Sequence, residues 1–223
     1  MLDKKGIFIL IAGANASGKS SVIKPKYVKG RIGLYANPDM LNDPDFPIAE
    51  KDILSDMGYK TLISKKADQF AIVCVDDWFQ SARCRSEGIG TESNLVSGRD
   101  FRNFRKAKIF EMKTELYFVG VPLETAKGRE EKRAANKEQA KIDHAEIERR
   151  YVKGLSNLQK HIDSGNIDLI KFYDNTLGKG EEELVFHMEN GKTKFLNPEP
   201  ILQWFKDARF LNPYIKLPAF LEE

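Results

Sequence analysis

Cysteine is nearly absent from this chain: only Cys74 and Cys84 occur, ten positions apart and with no C-x-x-C partner. That spacing excludes a disulfide framework and a cysteine zinc site, and it makes a reducing, cytoplasmic compartment the expectation. Histidine is as scarce. His144, His161 and His187 stand apart from one another, so none is assigned chemistry. Cys74 reads as a small core residue, and Cys84 has no evident base to activate it. Long hydrophobic runs are missing too. After Met1-Leu2-Asp3-Lys4-Lys5 the apolar run Ile7 to Ala12 is too short for a membrane span or a signal-peptide core, so no membrane partner is expected. Nor does one sign of charge dominate. Lys and Arg number 36 against 33 Asp and Glu, giving a net charge of +3, and the signs interleave. Such a balance leaves no electrostatic footprint for nucleic acid. Internal repeats and low-complexity segments are absent as well.

What is there fits one α/β domain over residues 1–223, 41% hydrophobic and 31% charged, large enough to bury a core without disulfides or metals. Ile7 to Ala12 reads as a buried strand. Lys19 to Val28 reads as a helix interrupted by Pro25, and Leu34-Tyr35-Ala36 as a short strand ending at Asn37-Pro38-Asp39. Ile48 to Arg85 reads as mostly helical, Ile89 to Glu92 as a third strand, Phe101 to Met112 as a helix, and Glu115 to Val121 as an apolar strand. Residues 124–150 are dense in Lys, Arg and Glu. They read as exposed helices and a loop standing off the core, a charged helical lid. Tyr151 to Ile162 is an amphipathic helix and Leu169 to Tyr173 another strand. In the extension 181–223, Leu184 to Met188 and Thr193 to Leu196 flank Glu189-Asn190-Gly191 as a hairpin, and Glu199 to Ala208 is a last helix. Strands alternating with helices predict a mainly parallel sheet flanked by helices.

The chemistry starts at Gly13-Ala14-Asn15-Ala16-Ser17-Gly18-Lys19-Ser20, which matches G-x-x-x-x-G-K-[ST] between a buried strand and a helix pattern. In such a loop successive backbone N–H groups curl around phosphates, and the helix N-terminus adds its positive dipole end. Lys19 reaches the β- and γ-phosphates, and Ser20 can ligate Mg²⁺. Gly13 to Ser20, extended by Ser21, is therefore the expected cradle for ATP or GTP with Mg²⁺, in a P-loop NTPase fold.

A phosphotransferase also needs a carboxylate near the acceptor hydroxyl and cations that neutralise the moving phosphoryl group. Asp39, just past the second strand, is placed for the first role, although Asn37-Pro38-Asp39 also fits a turn capping the next helix. Glu92, in Gly90-Thr91-Glu92-Ser93-Asn94, can bind a substrate hydroxyl or the metal, or be a surface loop residue. Arg129 and Arg133 share one helix face, and Arg149-Arg150 opens another helix. These can close as a lid or form a solvated charged face. Ala71-Ile72-Val73-Cys74-Val75-Asp76-Asp77 imitates a metal-holding Walker B strand. Yet Ala71, Cys74, Val75, Trp78 and Ala82 recur at helical spacing, so an amphipathic helix is the expectation.

In order and spacing these segments resemble the zeta-toxin family of P-loop kinases. The motifs are Gly13 to Ser20, Asn37-Pro38-Asp39, Gly90-Thr91-Glu92-Ser93, Phe118-Val119-Gly120-Val121, Arg129-Glu130-Glu131-Lys132-Arg133, Glu148-Arg149-Arg150-Tyr151, Asn157-Leu158 and Phe172-Tyr173-Asp174-Asn175, together covering roughly residues 6–176. The resemblance implies an ATP- or GTP-dependent kinase acting on the 3′-hydroxyl of UDP-N-acetylglucosamine, with a small antitoxin protein as a partner. It implies Asp39 as base, Glu92 as the substrate-holding residue assisted by Thr91 or Ser93, and Arg133 and Arg150 as lid arginines, with Arg129 and Arg149 as substitutes. Two departures stand out. Many relatives carry Gly-Gly-His between the arginines, where this chain has Ala134-Ala135-Asn136-Lys137-Glu138-Gln139. They also carry Glu-Thr-Thr or Glu-Thr-Val where it has Glu92-Ser93-Asn94. A kinase for another small acceptor, or a nucleotide-dependent switch acting on a partner protein with Asp76 or Asp77 on the metal, are the competing readings.

Overall fold

The computed structural model describes residues 6–19, 31–36, 67–136, 142–178 and 180–221. Its organising element is β1 (Ile7–Gly13), in which Phe8 through Ala12 are wholly inaccessible to solvent. A strand apolar at every position is stable only where both faces are covered, and β1 accordingly lies inside a seven-stranded sheet. The other strands are β2 (Leu34–Ala36), β3 (Ile89–Ser93), β4 (Lys113–Gly120), β5 (Leu169–Asp174), β6 (Glu183–Glu189) and β7 (Lys192–Leu196), in the order β2-β3-β1-β4-β5-β6-β7. Strands β1 to β5 pair in parallel. The hairpin β6–β7 adds two antiparallel strands, and Asn190 (φ 50°) and Gly191 (φ 74°) supply the left-handed backbone that an Asn-Gly hairpin turn requires.

The helices are α1 (Ala67–Gln80), α2 (Ala82–Glu87), α3 (Arg99–Ile109), α4 (Leu123–Ala135), α5 (His144–Asp163) and α6 (Pro198–Leu211). One face of the sheet, carrying Phe8, Leu10, Leu116, Phe118, Ile170 and Phe172, shares a continuous core with residues of α1, α3, α5 and α6. The opposite face carries Ile9, Ile11, Tyr35, Tyr117, Val119 and Tyr173, which is the alternation a pleated strand imposes. On that second face Glu115 has no solvent exposure. Arg31 holds it with two donors at 2.8 Å, and the Tyr117 hydroxyl donates to it at 2.7 Å. The guanidinium keeps the Glu115 carboxyl below its ordinary range despite burial, and without such partners a buried carboxylate would be costly.

The parallel sheet, the helix over Ala71–Asp77 in place of a Walker B strand, and the C-terminal hairpin and helix agree with the sequence reading. The helical readings over 20–28 and 48–66 lie outside the described residues. One expectation is corrected. Residues 124–150 do not simply stand off the core: within them α4 buries Ala126 and Glu130, and α5 buries Ile147. One alanine, one glutamate and one isoleucine provide this buried surface, which a low count of large apolar residues overlooks. The C-terminal extension is part of the same core. Trp204 packs on Phe118 and lies so close to Gly120 that a Cβ there would sit 2.4 Å from its ring. Asp207 of α6 accepts a hydrogen bond from the Leu123 amide at 2.9 Å, capping α4, which has no side-chain cap of its own. Among the described residues no helix is long and apolar enough to cross a membrane.

His161 is 2% exposed, on the α5 face against the rings of Phe101 and Phe104. Burial lowers its pKa from 6.5 to about 4. The native state therefore resists protonation that the unfolded chain accepts, and stability falls as pH drops below 6.5 toward 4. Between pH 7 and pH 5 the loss from this one group is about 2 kcal/mol. Urea denaturation across that range should show a correspondingly flatter profile for His161→Phe than for wild type; parallel profiles would contradict the assignment.

Candidate active site

The parallel strands deliver their carboxyl ends to one edge of the sheet, and the G-x-x-x-x-G-K-S loop leaves β1 there. Its first glycine is sterically required. At Gly13 (φ 151°) a Cβ would lie 2.3 Å from the Val119 carbonyl oxygen and 2.7 Å from Ser17 Oγ. Ala14 accepts from the Ser17 amide at 3.3 Å, Gly18 takes φ 89°, and helix begins at Lys19. The loop is anchored from the far side of β4. Asn175, just past β5, donates from Nδ2 to the Ser17 carbonyl at 2.8 Å and from its amide to Gly120 at 3.0 Å. Arg129 in turn donates to the Asn175 carbonyl at 2.7 Å.

Lys19 lies along the loop, with Nζ donating to the Gly13 carbonyl at 3.1 Å, the Ala14 carbonyl at 2.9 Å and Asn94 Oδ1 at 3.0 Å. Asn94 donates from Nδ2 to Asn15 Oδ1 at 3.1 Å. Arg150 reaches that same oxygen from α5 at 3.4 Å, while its Nε donates to Glu146 at 2.6 Å. Arg149 also holds Glu146, and the two guanidinium groups pull the Glu146 carboxyl down to about 2. A narrow pocket between the loop and α5 is lined by Ala14, Asn94, Arg150 and Tyr151.

On the other side of β1 the end of β3 presents Thr91, Glu92 and Ser93. Glu92 accepts the Tyr35 hydroxyl at 2.5 Å, and burial together with this carboxylate drives the Tyr35 pKa well above its ordinary value. Thr91 is 7% exposed and donates to the Ala36 carbonyl at 2.9 Å, tying β3 to β2. Ser93 donates to Asp100 at 2.6 Å. Asp100 is 1% exposed in the first turn of α3, and burial raises its pKa.

Asp39, Ser20 and Ser21 lie outside the described residues. Of the four arginines, Arg150 meets the phosphate loop and Arg129 is committed to the chain after β5. Arg133 is 3.8 Å from Glu130, and Arg149, its side chain 61% exposed, pairs with Glu146. Asp76 is in α1 and pairs with Lys106 of α3. Cys74 is buried, which pushes its thiol up to about 12, as expected of a core residue. Among the described residues no group of His, Cys, Asp and Glu clusters to hold a metal. Asn94, Glu146, Asp100 and Tyr35 are site residues that sequence reasoning missed. Asn157 and Asn175 stood in the motifs without a role; Asn157 in fact donates to the Leu95 carbonyl at 2.6 Å.

No family model matches the chain, and no curated protein aligns with it. Solved structures do share its fold. The AvrRxo1-ORF1:AvrRxo1-ORF2 complex in its native form contains a chain that superposes with a TM-score of 0.63 at 15% identity, over 93% of this chain and 65% of that one. The same complex with ATP gives 0.59 at 15% identity, over 96% and 64%. A structure of the PezAT chromosomal toxin–antitoxin system of Streptococcus pneumoniae gives 0.51 at 15% identity, over 94% and 88%. This chain thus spans about 65% of the length of the AvrRxo1 chain. The α/β fold, a mainly parallel sheet flanked by helices and here carrying a G-x-x-x-x-G-K-S loop after β1, is shared with these structures over more than nine-tenths of this chain.

Asn175→Ala removes the Nδ2 donor to the buried Ser17 carbonyl. It should cost about 1–3 kcal/mol in urea denaturation. An unchanged midpoint would show that the loop does not depend on this anchor.

Proposed function

We propose that this chain is a kinase that transfers the γ-phosphate of ATP or GTP to a hydroxyl of a small molecule, with UDP-N-acetylglucosamine the acceptor the zeta-toxin resemblance implies. The observation carrying this reading is the convergence of Lys19 and Arg150 on one glycine-bounded loop at the carboxyl edge of a parallel sheet. An AvrRxo1 structure containing ATP and a toxin–antitoxin structure among the proteins of like fold support it, and with it a small antitoxin partner. The scarcity of cysteine fits a cytoplasmic location.

In this reading the loop amides from Ala14 to Ser21 and the Lys19 ammonium hold the phosphates. Asp39 takes the acceptor proton as the hydroxyl oxygen attacks the γ-phosphorus, and the bond to the β-phosphate oxygen breaks, releasing ADP or GDP. Glu92 holds the acceptor, positioned by Tyr35. The hydroxyls of both its neighbours are engaged within the fold, Thr91 with the Ala36 carbonyl and Ser93 with Asp100. Assistance from Ser93 or Thr91 therefore requires one of these bonds to be exchanged for the acceptor. Lys19, Arg150 and Arg133 offset charge that spreads over the transferred group. The Ser20 hydroxyl, together with phosphate oxygens of the nucleotide, would hold Mg²⁺, and the ion would supply charge neutralisation of the phosphates. The rival switch reading places Asp76 or Asp77 on the metal. Both sit in helix α1, and Asp76 is engaged with Lys106.

Purified protein with ATP, Mg²⁺ and UDP-N-acetylglucosamine, followed by ³¹P NMR or mass spectrometry, should yield a product heavier by one phosphate. Lys19→Ala should abolish it. Asp39→Asn should lower turnover about 10²–10⁴-fold while keeping most nucleotide affinity. No product from protein that still binds ATP would discard this acceptor, and unchanged turnover in Asp39→Asn would remove Asp39 from the mechanism.

The two adjacent arginines should separate cleanly. Arg150→Ala should lower turnover by about 10²-fold or more, whereas Arg149→Ala, which removes only a pair with Glu146, should change it less than about threefold. Equal losses would count against Arg150 as the lid cation.

A further inference from the structure

We propose that Asn94 is a positioning residue that sets the phosphate-loop lysine and the lid arginine together, by joining Lys19 and Asn15 through its carboxamide. The proposal rests on the nucleotide-binding reading of the loop. Asn94 uses both ends of its side chain. Oδ1 accepts from Lys19 at 3.0 Å, and Nδ2 donates to Asn15 Oδ1 at 3.1 Å. That Asn15 oxygen is the atom Arg150 reaches at 3.4 Å. The lysine, the amide pair and the arginine thus form one unbroken chain of polar contacts across the mouth of the loop.

The backbone around Asn94 makes the arrangement rigid. It follows β3 directly, and the next residue, Leu95, is wholly buried in the left-handed conformation at φ 56°. Ser93 Oγ accepts from the Leu95 amide at 3.0 Å, and Asn157 of α5 donates to the Leu95 carbonyl at 2.6 Å. Also on α5, Gly154 leaves room for the Asn94 carbonyl, which a Cβ would approach to 2.7 Å. Gly154 lies one helical turn past Arg150 on the same helix face. The helix that carries the arginine therefore also grips the residue that touches the lysine, so displacement of α5 is felt at Lys19 by two routes.

The chemistry of the amide is specific. Only a side chain with an acceptor and a donor on one short fork can serve Lys19 and Asn15 at once. Alanine would release both. Aspartate would match the shape but turn the donor into an acceptor against Asn15 Oδ1. It would also hold Lys19 by a charge-assisted bond roughly twice as strong, and would set a negative charge beside the phosphates.

Binding of a fluorescent ATP analogue with Mg²⁺ tests this without knowledge of the acceptor. Asn94→Asp should weaken binding by at least about 10-fold and more than Asn94→Ala does. If Asn94 merely filled space, the isosteric aspartate would be the milder change. Asn94→Ala and Arg150→Ala should be less than additive, the double variant binding about as well as the weaker single one. Thermal melting of each variant establishes that it is folded. An Asn94→Asp protein that is folded and binds like wild type, or additive losses in the cycle, would overturn the role of Asn94 while leaving the kinase reading intact. A wild-type protein that binds no nucleotide would overturn both.

Discussion

The site depends on how closely the backbone after β1 passes the end of β4. At Gly13 the chain runs so near the Val119 carbonyl that no side chain fits, and this approach fixes where the loop leaves the sheet edge. A loop of small residues cannot hold that path by its own packing. It is held by neighbours: Asn175 at the Ser17 carbonyl from the β5 side, and Asn94 at Asn15 and Lys19 from the β3 side. The central position of β1 in the strand order makes both anchors available. Register completes the placement, because Ala12 pairs with Ser93 and Gly13 with Val119, so three strands end level with one another.

The far half of the sheet serves the same edge indirectly. Trp204 fills the space over Gly120, the last residue of β4, and Asp207 from the same helix caps α4. Helix α4 then presents Arg129 to the carbonyls of Asn175 and Thr176. A line of contacts thus runs from the C-terminal helix, through the base of the charged segment, to the residue that anchors the phosphate loop. Aromatic packing supports that line, with Phe172 and Phe186 at 4.8 Å between ring centres and Phe186 stacked on Phe220 at 4.2 Å. The extension accordingly packs as a structural support for α4 and the glycine-rich loop.

Much of this was legible in the sequence, and for identifiable reasons. Short continuous apolar runs placed β1, β4 and β5, and the helical recurrence of Cys74, Val75 and Trp78 outweighed the superficial Walker B pattern. The phosphate loop declared itself by spacing. Less legible were residues whose importance comes from distant partners: Asn94 gave only a polar residue after a strand, and nothing local shows that it would meet a lysine 75 positions earlier. Tyr35 and Glu92 are 57 apart, and their pairing follows from the parallel neighbours β2 and β3 rather than from any motif. The charged segment was misread as standing off the core because Ala126 and Glu130 are buried by contacts with other elements, a property composition does not carry.

The arrangement of cations follows from helix geometry. Successive residues on a helix point about 100° apart, so Arg149 and Arg150 cannot both face the loop, even though Glu146 lies within reach of each at the (i, i+3) and (i, i+4) positions. Glu146 gathers both guanidinium groups, yet only Arg150 keeps a second donor directed at Asn15. On α4, Arg129 and Arg133 share a face and are separated by one turn of axial rise instead, which gives Arg129 to the loop after β5 and leaves Arg133 beside Glu130. One half-buried anchor, Arg129, and one loop-facing cation, Arg150, thus come from helices that composition alone describes as uniformly charged. What distinguishes the arginines is which neighbour the rotation and rise of the helix bring within reach of each guanidinium.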